Sequence, residues 1–109
     1  GDSEGVIERG DYRHLYMHRT GHWLGLDVHD VGAYRLGEKP ANLTEGMVLT
    51  VEPGLYVSDR LAVPEGQPAI DDRWKGIGIR IEDDVAVVNG GCEVMTAAAQ
   101  KSLAAMERP

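Results

Sequence analysis

Phenylalanine is absent from the sequence, and cysteine occurs once, at Cys92. A single cysteine excludes an internal disulfide and a thiolate metal cage, and it suggests a reducing compartment. Because no base neighbours Cys92 in the sequence, we interpret it as a buried or bystander thiol. No apolar run approaches the roughly 18 residues of a membrane span. We therefore expect no membrane partner and a cytoplasmic location.

Basic residues are scarce as well. Lysine and arginine number 11 against 18 aspartates and glutamates, which gives a net charge of −7. This balance argues against a nucleic-acid partner, because affinity for the phosphate backbone comes from clustered Lys and Arg. It is compatible with chemistry based on carboxylates, although acidity alone mostly favours solubility.

The length and the aromatic content limit the core. A chain of 109 residues buries only about 65% of the surface that it would expose unfolded. Without phenylalanine the core must consist of Ile, Val, Leu and Met, which favours strands over a helical bundle. The first residues, Gly1 to Gly5, lack a starting Met, so we expect the interior of a longer chain or an artificial boundary.

The periodicity of apolar residues predicts an α+β fold of mostly antiparallel strands with a C-terminal helix. The predicted strands or extended segments are Leu15–Met17, Leu24–Val31, Met47–Glu52, Leu55–Val57, Ile77–Val88 and Glu93–Met95. The predicted helices are a short turn at Glu4–Arg9 behind an Asp2/Ser3 cap and a longer helix at Ala97–Arg108. Loops are expected at 32–46 and 58–75, a type II turn at Pro53-Gly54 and a hairpin turn at Asn89-Gly90.

Three of the four histidines, His18, His22 and His29, lie close together in the sequence. His18 and His22 have the i, i+4 spacing of a helical zinc site, but that motif needs Glu after the first His, and here Arg19 stands there. We therefore reject a helical zinc site. The glycines on either side of His22-Trp23 indicate instead a backbone that approaches a site closely.

Two glutamates could complete a site with these histidines. Glu52 ends a strand before Pro53, which holds it in an extended conformation. Glu82 lies two positions after Arg80, so on one strand both would project to the same face. A His and two Glu form a mixed nitrogen and oxygen ligand set that suits manganese, iron, cobalt or zinc. From these residues alone the sequence predicts an acidic, mostly β domain with a possible His/Glu site.

The same segments resemble the pita-bread metallopeptidases, and most closely the Xaa-Pro aminopeptidases. Three blocks, in the order and spacing of that family, carry the resemblance: Met17-His18 with HWLGLDVHDVG at 22–32, EGMVLTVEPGLY at 45–56 and GIGIRIEDD at 76–84. The match spans about residues 12 to 96. Prolidases share much of it and are the nearest alternative. The resemblance implies that the chain is the C-terminal part of a pita-bread catalytic domain, over residues 1–109.

The resemblance also implies a ligand set. His22, Glu52 and Glu82 match metal ligands, with Glu82 bridging two ions, expected to be Mn²⁺, and Glu52 serving also as a proton shuttle. Two such ions would activate a water molecule and stabilise the charge that develops on the carbonyl oxygen.

Further residues match positions around the metal ligands. His18 and His29 match histidines that contact the substrate and the developing oxyanion, and Arg80 would lie beside the bridging carboxylate. The implied reaction removes the N-terminal residue of a peptide whose second residue is proline. The implied partner is therefore such a peptide.

The sequence departs from the family in one respect. The family's site needs two further aspartates from an upstream segment, and Asp2 and Asp11 lie in an unrelated context. We therefore expect a partial site that binds metal weakly, and a fragment that is inactive alone. Alternatives are a prolidase fragment, a non-catalytic peptidase-like binding module and a small stand-alone metal-binding protein. Open strand edges predict self-association, so we expect a homo-oligomer.

Overall fold

The computed structural model describes residues 3–107 of the chain, so the expected Asp2 cap and Arg108 lie outside the described residues. Within this described range there are two short α-helices, α1 (Ser3–Arg9) and α2 (Leu103–Met106), and 3₁₀ helices at Asp11–Leu15 and Asp72–Trp74. The strands are β1 (Arg35–Leu36), β2 (Lys39–Pro40), β3 (Val48–Val51), β4 (Gly54–Val57), β5 (Ile77–Arg80), β6 (Asp83–Val88) and β7 (Gly91–Val94). No helix among residues 3–107 is long and apolar enough to span a bilayer.

The chain divides into two compact units. The described part of the first unit comprises residues 3–19 and 53–80, and that of the second comprises 20–52 and 81–107. The first unit contains α1, both 3₁₀ helices and the antiparallel pair β4–β5. The second contains the β1–β2 hairpin, helix α2 and an antiparallel sheet in the order β3-β6-β7.

The three-stranded sheet follows the sequence prediction closely. The predicted strand at Met47–Glu52 is β3, and the predicted turn at Asn89-Gly90 joins β6 to β7, with Val88 opposite Gly91. Gly90 has φ 77°, a conformation that is strained for other residues. Val85 in β6 is the buried hydrophobic residue of the described chain, at 7% exposure. Many of the Ile, Val, Leu and Met side chains that were expected to form the core are exposed. Cys92 is exposed, which contradicts the buried alternative for its thiol and leaves the bystander alternative.

Two of the predicted strands are wrong. Leu15 ends a 3₁₀ helix, because the N–H groups of Arg13 and Tyr16 bond to carbonyls three residues back. Residues 25–29 form bends instead of an extended segment, since the Asp30 N–H donates to the Trp23 carbonyl and closes a loop. Val28 and Val31 are exposed and Leu26 is fully exposed, so the alternation does not mark a buried face.

The predicted single strand at Ile77–Val88 is interrupted. Its first half, β5, pairs with β4, and its second half, β6, pairs with β3. Ile81 and Glu82 lie outside both strands. The strand alternation that was expected to place Arg80 and Glu82 on one face therefore does not apply.

The expected turn and the expected C-terminal helix also differ. Gly54 begins β4 without a positive φ, so Pro53-Gly54 is not a type II turn. Of the helix predicted at Ala97–Arg108, the part that lies within the described residues is helical at Leu103–Met106 and not at residues 97–102. Its start is set by Ser102, whose hydroxyl accepts a hydrogen bond from the Ala105 N–H at 3.3 Å.

Candidate metal centre

The register of β3 against β6 brings two glutamates to one end of the sheet. Val51, the last residue of β3, lies opposite Asp83, the first residue of β6. The next residue along one strand is Glu52, and the residue before the other is Glu82. Glu52 and Glu82 therefore lie at the same end of the β3–β6 pair, although they are 30 positions apart in the sequence.

The segment 20–24 runs along the other edge of β3 and adds a histidine to this end. The Thr50 N–H donates to the His22 carbonyl at 2.9 Å, and the Glu52 N–H donates to the Thr20 carbonyl at 2.6 Å. At Gly21 an added Cβ would overlap the Thr50 carbonyl oxygen. Glycine at this position therefore permits the close approach that the sequence predicted for the backbone beside His22.

His22, Glu52 and Glu82 form a cluster of possible metal ligands. Each offers one ligand atom, and these atoms lie within 4.8 Å of one another. The His22 Nε2 and Glu52 Oε1 atoms are 3.1 Å apart. Glu52 is buried at 7% exposure, His22 is half-buried and Glu82 is exposed. The cluster is thus built on a buried carboxylate and opens towards solvent at Glu82.

The Thr50 hydroxyl ties two members of the cluster together. It accepts a hydrogen bond from the His22 N–H and donates one to Glu52 Oε1, both at 3.1 Å. Thr50 itself is only 2% exposed. Because a buried hydroxyl with both partners satisfied is fixed in orientation, Thr50 sets the direction of the Glu52 carboxylate.

The hydrogen bonds of His22 leave its other ring nitrogen available to a cation. His22 Nδ1 lies 2.9 Å from the Trp23 carbonyl, which can only accept, so Nδ1 carries a hydrogen. In the neutral imidazole, Nε2 then presents a lone pair to the Glu52 carboxylate, which also presents lone pairs. These lone pairs repel each other, and so do the negative charges of the Glu52 and Glu82 carboxylates. A proton or a metal ion between the atoms removes the repulsion. The residues present therefore fit a divalent ion.

His29 lies beside this cluster. The ring centroids of His22 and His29 are 4.3 Å apart, in an edge-to-face arrangement. On the same segment, Trp23 stacks on Tyr34 with ring centroids 5.5 Å apart, and the Tyr34 hydroxyl accepts a hydrogen bond from the Trp23 N–H. The structure thus places one of the two predicted non-ligand histidines next to the predicted ligand.

The remaining predicted residues, His18 and Arg80, meet in the other unit around Tyr56. The Tyr56 hydroxyl lies 2.8 Å from His18 Nε2 and accepts a hydrogen bond from Arg80 Nε at 2.8 Å. His18 Nδ1 lies 2.8 Å from the Arg19 carbonyl, so Nδ1 is protonated and Nε2 of the neutral ring accepts from Tyr56. The position of Arg80 beside Glu82 stays a prediction.

Residues 2–89 match the profile of metallopeptidase family M24. The chain belongs to this family. The family assignment and the pita-bread fold class are thereby confirmed, since the solved structures that the chain resembles are aminopeptidases P. Membership also implies the use of a divalent metal, in agreement with the donor set of the cluster.

Several M24 relatives are similar over nearly the whole chain. The chain is 48% identical to the Xaa-Pro aminopeptidase of Haemophilus influenzae over 108 residues, which cover 98% of this chain and 23% of that protein. The aminopeptidase PepP of Pseudomonas aeruginosa superposes with a TM-score of 0.76 at 46% identity, over 97% of this chain and 23% of that one. Escherichia coli aminopeptidase P with the inhibitor Pro-Leu gives 0.68 at 47% identity, over 94% and 21%. The chain therefore spans about a fifth of the length of these relatives.

The sequence did not predict roles for Thr50, which bonds to His22 and Glu52, or for Tyr56, which bonds to His18 and Arg80. Thr50 shares the strand parity of Glu52 and is a polar residue in an otherwise apolar run, which is a usable signal for a buried partner. Tyr56 gives no such signal by itself. Its neighbours Gly54 and Gly78 leave the space that its ring and hydroxyl occupy, since a Cβ at either would approach it to 2.6 Å.

Proposed function

We propose that this chain forms one part of the active site of a metal-dependent aminopeptidase that releases the N-terminal residue from peptides with proline in second position. The observation that carries the proposal is the convergence of His22, Glu52 and Glu82 within 4.8 Å at one end of a sheet. The resemblance to Xaa-Pro aminopeptidases over 98% of the chain supports the choice of substrate.

The metal would be held by the His22 imidazole and by the Glu52 and Glu82 carboxylates. We propose Mn²⁺ as the ion, with two ions in the complete enzyme and a partial site in this chain. When bound, divalent ions make water a better nucleophile at neutral pH and stabilise negative charge on a carbonyl oxygen. Mixed imidazole and carboxylate ligands suit such ions.

The other groups would bind and orient the substrate and move protons. Glu52, whose Oε1 is directed by the Thr50 hydroxyl, would take a proton from the attacking water and deliver it to the leaving amine. His29, beside His22, and His18 would contact the substrate and the carbonyl oxygen as its charge develops. Arg80, which donates a hydrogen bond to Tyr56, would act as a positioning residue, as the family resemblance implies.

The isolated 109 residues would not carry out this reaction. Three donors bind a divalent ion more weakly than a full carboxylate-rich set, because both ligand number and charge neutralisation are reduced. We further propose a cytoplasmic enzyme that acts on peptides without a nucleic-acid or membrane partner. The many exposed apolar side chains, Ile79 at 65% among them, support association with further protein surface, including a second copy.

A chimera tests the proposed activity directly. The matching segment of the Haemophilus influenzae Xaa-Pro aminopeptidase, to which the chain is 48% identical, is replaced by these 109 residues. We expect the chimera to release the first residue of an Xaa-Pro tripeptide in the presence of Mn²⁺. The same chimera with Glu82→Gln should lose at least about 100-fold in activity, because a ligand carboxylate is replaced by a neutral amide.

Two results would contradict the proposal. A chimera that folds, binds Mn²⁺ and releases no residue from the tripeptide would show that this segment does not complete an aminopeptidase site. A chimera that cleaves Xaa-Pro dipeptides but not tripeptides would instead favour a prolidase. The parent aminopeptidase, assayed in parallel, is the matched control.

A further inference from the structure

The segment 95–101, here termed the C-terminal strap, is bonded to the first two residues of β6. The Met95 N–H donates to the Asp84 carbonyl at 2.8 Å, and the Asp84 N–H donates to the Thr96 hydroxyl at 3.0 Å. The same hydroxyl donates to Asp83 Oδ1 at 2.7 Å. Thr96 thus bonds both to the backbone and to a side chain of the strand that follows Glu82.

Lys101, the last residue of the strap, also pairs with the Asp83 carboxylate. Its ammonium lies 2.9 Å from Asp83 Oδ1, 2.9 Å from the Thr96 carbonyl and 3.0 Å from the Ala99 carbonyl. These three acceptors match the three donors of an ammonium group. The Lys101 and Asp83 side chains are each only 26% exposed, so the ion pair is partly shielded from solvent.

The strap lies next to Glu82, one of the three residues of the metal cluster. Glu52 is buried and directed by Thr50, whereas Glu82 is exposed and lies outside both β5 and β6. The backbone position of Glu82 is one determinant of where its carboxylate lies, and the next residue, Asp83, is the one that the strap fixes. The register partner of Asp83 is Val51, which directly precedes Glu52. The strap thus holds the strand end at which the two glutamates approach each other.

We propose that Thr96 and Lys101 are positioning residues for Glu82. By anchoring Asp83 they keep the Glu82 carboxylate within reach of His22 and Glu52. The inference rests on the proposed metal site, but it concerns the geometry of the metal-free chain and can be tested there. It also gives the C-terminal segment beyond residue 89, where the family match ends, a role in the site.

The test compares two substitutions with matched controls. Thr96→Val removes the hydroxyl at nearly constant shape, whereas Thr96→Ser keeps it. Lys101→Met removes the ammonium, whereas Lys75→Met removes an ammonium that pairs with Asp72 in the other unit. Amide signals of β3 and β7 at their wild-type positions establish that each variant is folded.

The first measurement is made without metal, on the backbone amide and side-chain carboxyl carbon of Glu82 by NMR. We expect Thr96→Val and Lys101→Met to shift or broaden these signals, and Thr96→Ser and Lys75→Met to leave them unchanged. Unchanged Glu82 signals in both folded test variants would overturn the inference. Because two different side chains are removed, one variant still decides the question if the other fails to fold.

The second measurement is Mn²⁺ affinity by titration calorimetry. We expect Thr96→Val and Lys101→Met to bind Mn²⁺ about tenfold more weakly, the lower end of the effect seen when groups that orient ligands are removed. Equal affinity in all variants would contradict the positioning role even if the Glu82 signals moved. If the wild-type chain binds no Mn²⁺, the proposed metal site fails, and the metal-free NMR result still decides whether the strap positions Glu82.

Discussion

Replacement of Thr50 by valine should weaken the fold and the cluster together. Valine keeps the shape of the side chain but removes the hydroxyl that accepts from the His22 N–H and donates to Glu52 Oε1. Since Thr50 is 2% exposed, water cannot readily replace either hydrogen bond. An unsatisfied buried polar group costs about 1–3 kcal/mol, so two affected groups predict a loss of roughly 2–6 kcal/mol in the free energy of unfolding.

Urea unfolding followed by circular dichroism measures this loss, with Thr50→Ser as the matched control. Serine keeps both hydrogen bonds and removes one methyl group, which should cost about 0.8 kcal/mol. If the valine variant is unfolded without urea, it can be refolded with a stabilising osmolyte, and the folding midpoint in osmolyte is compared with that of the serine variant. A valine variant as stable as the serine variant would refute the argument that the hydroxyl organises this end of the sheet.

Three further predictions concern other positions. Gly21→Ala should displace the segment that carries His22, because the new Cβ overlaps a β3 carbonyl; amide exchange in that segment should accelerate, and unchanged protection would contradict the geometry. Tyr56→Phe should shift His18 away from the tautomer protonated at Nδ1, since Nε2 loses its donor, and ¹⁵N NMR of the ring should detect the change. The hydrogen bond from Gln67 lowers the pKa of Asp11 below 3.8, so its contribution to stability is present above that pH and is lost as the pH falls through the lowered value. Gln67→Leu should raise the Asp11 pKa in an NMR titration, and an unchanged value would count against the assignment.

The sequence correctly predicted the strand β3 from its β-rich apolar run, and the hairpin of β6 and β7 from a turn with a distinct signature. Asn89-Gly90 predicts the hairpin of β6 and β7 because Gly90 adopts a positive φ. The interruption at Ile81 and Glu82 could not be found in the same way. The alternation of Ile77 to Val88 is continuous, and the break arises only because the two halves pair with different strands.

The predicted C-terminal helix failed for a comparable reason. Its alanine-rich composition favours a helix locally, but Thr96 and Lys101 instead hydrogen-bond to Asp83. These partners are separated in sequence by more than ten positions, so local propensity carries no information about them. Tertiary contacts of this kind regularly override propensity.

The ligand residues of the candidate site could be predicted from the sequence, but the residues that position them could not. His22, Glu52 and Glu82 were identified through the family resemblance, and the structure brings them together. The residue types alone left the metal and even the existence of the site open. The link through Thr50 depends on a strand register that no local pattern encodes.

The central claim, that His22, Glu52 and Glu82 together hold a divalent ion, is tested most directly by Mn²⁺ titration of the purified chain followed by EPR. We predict weak but saturable binding that is lost in Glu82→Gln and retained in Glu93→Gln, a matched change at an exposed position of β7. Saturable binding that persists unchanged in Glu82→Gln, or no saturable binding by the folded wild-type chain at millimolar Mn²⁺, would contradict the claim.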